Sequence, residues 1–175
     1  MKIRAGYPTL MTAIAALVFA GALFAPAPAF AQFTPTGRGT LRGLPGVEVI
    51  VEPIDPALER EGLTTASLQA AVAGQLRASG IIIYASQNEN ASAAKPYLYV
   101  NVLPLQVGRQ GTAISIAVEV RQTLRSSVTN ASIVNAMTWD QKSLIFSPPG
   151  TAARSVRGEA QSLVEQFVND WRAVH

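Results

Sequence analysis

Thr112–Leu124, TAISIAVEVRQTL, is the longest clean alternation of apolar and polar residues in the chain. Ile114, Ile116, Val118 and Val120 fall on one side; Ser115, Ala117, Glu119 and Arg121 fall on the other. Side chains along a strand project alternately to opposite faces, so this stretch reads as a β-strand with one buried and one wet face. The remaining elements have to supply the layer that covers its apolar side.

The chain is 175 residues long, which suits one domain with a proper core. Hydrophobic residues make up 49% and charged residues 14%, a balance that excludes general disorder. Part of the apolar excess is a leader. Lys2 and Arg4 precede an apolar run from Leu10 to Phe24, and Ala29 and Ala31 form a small-residue cleavage site before Gln32. The run is shorter than a spanning helix needs, and Pro26 and Pro28 follow it. Residues 1–31 are therefore expected to be a cleaved signal peptide, with the product periplasmic or secreted and without a transmembrane span. Losing Lys2 and Arg4 takes the formal charge from +3 to about +1, and no basic surface of the kind that binds nucleic acid is expected. The chain has no cysteine, which excludes disulfides, thiol chemistry, cysteine zinc sites and a lipid-bearing cysteine.

Gln32–Leu44 is rich in Gly, Thr and Pro and reads as a flexible tether, with Arg38 and Arg42 as solvated charges; a single domain is expected from residue 45 to 175. Val47–Val51 alternates and is stopped by Pro53 and Pro56. Asp55–Gly62 is a loop with room for one helical turn. Thr64 is placed to cap a helix, with Leu63 stapled onto Leu68, an apolar stripe at Leu68, Val72 and Leu76, and Gly80 as the left-handed stop. Gly74 inside that helix is read as allowing close approach to the sheet. Ile81–Tyr84 follows as a short strand, parallel to the first through a right-handed crossover.

Ala85–Lys95 is a polar loop. Its Asn90-Ala91-Ser92 matches a glycosylation sequon, as does Asn130-Ala131-Ser132, and both are read as chance. Tyr97–Leu103 alternates and is disturbed at Pro104, and Gly108–Gly111 turns the chain into the opening strand. Ile133–Trp139 makes a further strand, extendable through Leu144–Phe146. After Ser147-Pro148-Pro149-Gly150, a helix carries Val156, Ala160, Leu163, Val164, Phe167, Val168 and Trp171 on one face. The expected fold is α+β: a two-layer sandwich with a mixed four- to five-stranded sheet and two helices on one face, in the order β-α-β-β-β-β-α after the signal peptide.

The parts of a catalytic site are scarce. The sole histidine, His175, is the last residue, where a mobile terminus makes a poor base or ligand. Nucleophilic triads and histidine zinc sites have no components, and there is no phosphate loop, dinucleotide fingerprint or nucleophile elbow. Glu48, Glu52, Asp55, Glu59 and Glu61 cluster in sequence, but their spacing fits no calcium loop. No catalytic residue, metal or cofactor is expected. The candidate binding residues lie on the outer face of the sheet: Tyr97, Tyr99, Asn101, Glu119 and Arg121, with Ile50 beside them and Met137 and Trp139 dependent on register. Aromatics interleaved with polar groups favour protein binding, although tyrosines are also ordinary strand formers and Glu119 and Arg121 can simply pair across strands.

The segments Gly62-Leu63-Thr64, Gln75-Leu76-Arg77, Ser79-Gly80-Ile81, Tyr97–Val102, Val118–Gln122, Thr138-Trp139 and Phe167–Asp170 resemble a family of uncharacterised exported bacterial proteins across Leu44–Trp171. In topology the chain is also loosely similar to the lipopolysaccharide-assembly lipoprotein of the outer membrane, from which it departs by lacking the lipid-bearing cysteine. The resulting expectation is an exported non-catalytic module whose partner is an envelope protein or a lipid-assembly component. The alternatives are a hydrolase-type enzyme with a carboxylate-only site and a homo-oligomer built through an exposed sheet edge.

Overall fold

The computed structural model describes residues 37–175. The expected signal peptide and the start of the expected tether lie outside the described residues. Five strands form one mixed sheet: β1 (Val47–Val51), β2 (Ile83–Tyr84), β3 (Tyr97–Val107), β4 (Gly111–Arg125) and β5 (Ser132–Ser147). Their spatial order is β2-β1-β3-β4-β5, with β1 parallel to both β2 and β3 and the β3-β4-β5 meander antiparallel. Helices α1 (Pro56–Arg60) and α2 (Thr65–Ala78) connect β1 to β2, and α3 (Ala152–Arg172) closes the chain. The fold is α+β, as the alternating and helical patterns predict.

The inner face is a set of rows fixed by register. Leu98 lies opposite Val120, Val100 opposite Val118 and Val102 opposite Ile116, all buried. On this face α2 contributes Leu68, Val72 and Leu76, and α3 contributes the seven-residue stripe from Val156 to Trp171; together with the strands they make one core. The boundaries of α2 follow local chemistry. Thr64 accepts from the Ser67 amide while the Ser67 hydroxyl accepts from the Thr64 amide, a reciprocal cap, and Gly80 ends the helix at φ 83°.

Several expectations change. Pro104 does not end β3, which runs on to Val107, and β5 continues unbroken from Ser132 to Ser147 with register shifts near its start. The second strand shrinks to two residues, with Ile82 exposed. Gly74 is on the outer side of α2 and a Cβ there would meet open space, so it does not bring the helix close to the sheet.

The end of the expected tether is packed. Residues 38–41 form a 3-10 turn that buries Leu41, and Leu44 is buried after it. Arg38, expected to be solvated, donates from Nε to Asp170 at 2.7 Å, and the other oxygen of that buried carboxylate accepts from Trp139 Nε1 at 3.0 Å. Gly37 lies so close to β5 that a Cβ would come within 2.2 Å of the Thr138 carbonyl. His175 is likewise held, stacked on Trp171 at 4.3 Å with Nε2 3.2 Å from the Leu44 carbonyl.

Candidate functional site

Among the described residues no helix covers the outer face of the sheet, and this face brings all five candidate residues together. Tyr97, Tyr99 and Asn101 on β3 stand opposite Arg121, Glu119 and Ala117 on β4. Parity alone places them there, because the odd-numbered residues of both strands point away from the helices. Ile50 lies beside Tyr99 on β1. The register settles the two remaining candidates: Met137 is exposed, whereas Trp139 points inward and is buried against Phe167, ring centroids 5.2 Å apart.

A chain of polar contacts runs from the residue after β1 across β3, β4 and β5. The Tyr99 hydroxyl donates to Glu52, the residue that follows β1, and the Arg121 guanidinium sits 4.4 Å from the centre of the Tyr99 ring. Arg121 also donates to Glu119 through Nε at 3.0 Å and through an Nη at 2.8 Å. Lys142 of β5 completes the row, 3.6 Å from Glu119 and 3.3 Å from Asp140. Glu119 was expected to be wet; roofed by its two cations, it is only 7% exposed. Burial pushes the Tyr99 phenol up to about 12, reinforced by the hydrogen bond to Glu52 and opposed by the Arg121 charge. Arg121 is raised chiefly by its hydrogen bonds to Glu119.

This network is satisfied within the chain. Its groups hold one another, so the centre of the face offers stacked, oriented side chains and few unused polar atoms. Beside it, Tyr97, Lys95, Thr123 and Asn135 line an open hollow of about 330 Å³. The Lys95 ammonium is already engaged by the carbonyls of Gln87 and Asn90, which pins the 85–96 loop beneath it. Asn90 is fully buried, so the first sequon has no accessible acceptor.

The acidic cluster of the sequence is dispersed over separate tasks. Glu48 accepts from Gln87 at 2.6 Å, Asp55 caps α1 and Glu61 accepts from the Ala153 amide at the start of α3. Among the described residues no group of three or more potential metal ligands comes together.

Sequence reasoning missed the apolar end of the same face. Leu103 and Leu105 continue the outward row of β3, and Leu144 and Phe146 continue that of β5; they are 61%, 68%, 77% and 56% exposed. Register aligns Leu103, Ser115 and Leu144 in one row and Leu105, Ala113 and Phe146 in the next. The signal is present as parity beyond Pro104, but a strand read as Tyr97–Leu103 and disturbed at that proline hides it. In Ser143–Phe146, three adjacent apolar residues left the facing undecided.

No family model matches the sequence, and no curated protein matches it. Among solved structures, a minor lipoprotein from Acinetobacter baumannii is similar at a TM-score of 0.29 and 10% identity, over 76% of this chain and 92% of that one. That fits a loose likeness to a lipoprotein and shows no family; at this score it carries no argument about function. No helix among the described residues is long and apolar enough to cross a membrane.

Proposed function

We propose that the chain is an exported, non-catalytic module that binds an envelope protein through the outer face of its sheet. The observation that carries this reading is the row structure of that face: exposed Leu103, Leu105, Leu144 and Phe146 adjoin the ordered Tyr99–Arg121–Glu119 tract. Contiguous exposed apolar side chains rimmed by polar groups are characteristic of interaction surfaces. The preorganised tract adds orientation, since Tyr99 and Arg121 lose little freedom when covered. Tyr97 and Asn101 flank it and belong to the same surface.

Crosslinking and capture from envelope fractions test the reading. The doubly substituted chain Leu103→Asp, Leu105→Asp is expected to retain its circular dichroism and thermal transition while losing the partner recovered by the unaltered chain. Equal recovery by both proteins rejects the reading. Substituting Tyr99 and Arg121 is a poorer first test, because it strips a buried Glu119 of its main partner.

A further inference from the structure

The two edges of the sheet are unlike. At one edge β2 has two paired residues, too few to template another strand. At the other, β5 is 16 residues long and contains no proline, and from Trp139 to Ser147 its register against β4 is unbroken.

Hydrogen-bond phase shows which of its groups face outward. The Glu52 amide donates to the Val100 carbonyl at 3.0 Å, so Val100 turns its backbone to β1. Tyr99 and Asn101 then turn theirs to Glu119 and Ala117, and the alternate residues Val118 and Val120 bond to Gln141 and Trp139 of β5. The backbone groups of Asp140, Lys142, Leu144 and Phe146 therefore point out of the sheet. Among the described residues nothing pairs with them. Two features bound this window: the Thr40 hydroxyl occupies the Thr138 carbonyl at 3.0 Å, and Pro148 lacks an amide hydrogen.

We propose that a second copy of this chain occupies the window, its β5 running antiparallel to the first about a two-fold axis at Ser143. This goes beyond the envelope-partner reading and stands on the edge alone. A two-fold strand pair must match outward residues with outward residues, which leaves few registers. An axis at Lys142 sets two ammonium groups opposite each other, which is repulsive. An axis at Gln141 brings Leu144 onto Thr138, whose carbonyl and flank are already covered by Thr40 and Gly37. With the axis at Ser143, Asp140 pairs with the second Phe146 and Lys142 with the second Leu144. Every outward amide and carbonyl in the window is then used.

In that register the Lys142 stem lies over an apolar neighbour while its ammonium keeps Asp140 and Glu119. The two outer apolar ends become continuous across the axis. The helix layers are compatible: α3 packs on β4 and β5 alike, so the two α3 helices stand about two strand spacings apart, ~10 Å, the separation at which helices pack side by side.

The absence of cysteine gives a clean test. The chain as recovered from the exporting cell should sediment as a dimer at about 10 µM. Ser143→Cys should crosslink to its own copy under mild oxidation, since residues at the axis form a close pair. Asp140→Cys, placed opposite Phe146, should not. Leu144→Pro removes only an outward amide, and Leu144→Lys adds an edge charge; both should be monomeric with an unchanged thermal transition. A monomeric unaltered chain up to about 100 µM overturns the proposal. So does a dimer that survives both Leu144 variants, or crosslinking at Asp140→Cys without crosslinking at Ser143→Cys. A monomer that still captures an envelope protein through Leu103 and Leu105 separates failure of this proposal from failure of the functional reading.

Discussion

The two faces of β4 alternate along one backbone but are stabilised by different physics. Inward, Ile114, Ile116, Val118 and Val120 are completely buried under α3 and its neighbours. Burial of each such side chain contributes roughly 1.5–3 kcal/mol, and the effect is non-directional. Outward, Ala113, Ser115, Ala117, Glu119 and Arg121 bury little apolar surface. Glu119 is still enclosed, because Arg121 and Lys142 fold over it. One face holds the fold together, and the other holds a chosen set of side chains in place.

The sharpest way to break the contrast is Val118→Asp. It puts an unpaired carboxylate into the core, at a cost on the order of 4–5 kcal/mol or more, comparable with the total stability of many domains. Loss of the cooperative thermal transition is expected. Asp170→Ala should come next. It leaves the Trp139 indole without an acceptor and releases Arg38, costing about 2–3 kcal/mol in a urea titration because the Arg38 side of the pair is half exposed. Asp170→Asn keeps an acceptor for Trp139 and should cost less.

The outer network is reached by pH. The folded pKa of Tyr99, about 12, is raised above the usual 10, so the fold favours the neutral phenol. Its contribution is intact below pH 10 and is lost as pH rises through 12. Absorbance titration of the phenols should show this late component, and Glu52→Gln should move it down without abolishing the shift, since burial is its first cause. The smallest effect is expected at Leu105→Asp. The residue is on the same sheet but 68% exposed, and stability should change by within about 0.5 kcal/mol. A large loss there would mean that the outer face also supports the fold.

Much of the architecture was legible because it is local. The cap at Thr64, the stop at Gly80 and the α3 stripe each depend on residues within a turn or two, and all appear where periodicity puts them. Other features failed for the same reason. Gly, Thr and Pro in residues 37–44 read as a tether, but Leu41 and Leu44 find a buried place only once α3 and β5 are beside them. Pro104 reads as disturbing the strand's end, yet its missing amide points away from β4 and past the end of β1, so no ladder bond is lost and β3 continues. The candidate residues were found through parity, which is exact along a strand. The enclosure of Glu119 and the apolar end at Leu103 and Phe146 were not, since both depend on which strands are neighbours.

By itself, then, the sequence determined that one face of Thr112–Leu124 is buried, that two helices cover it, and that Tyr97, Tyr99, Asn101, Glu119 and Arg121 share the opposite side. Periodicity encodes such choices within a single element. Tertiary structure alone decided that Trp139 turns inward to Asp170, that Arg38 joins it from 132 residues away, and that β5 stands at an edge with its outward amides and carbonyls unpaired. Strand order and long-range pairing depend on which surfaces fit together, and no local pattern in the chain records that fit.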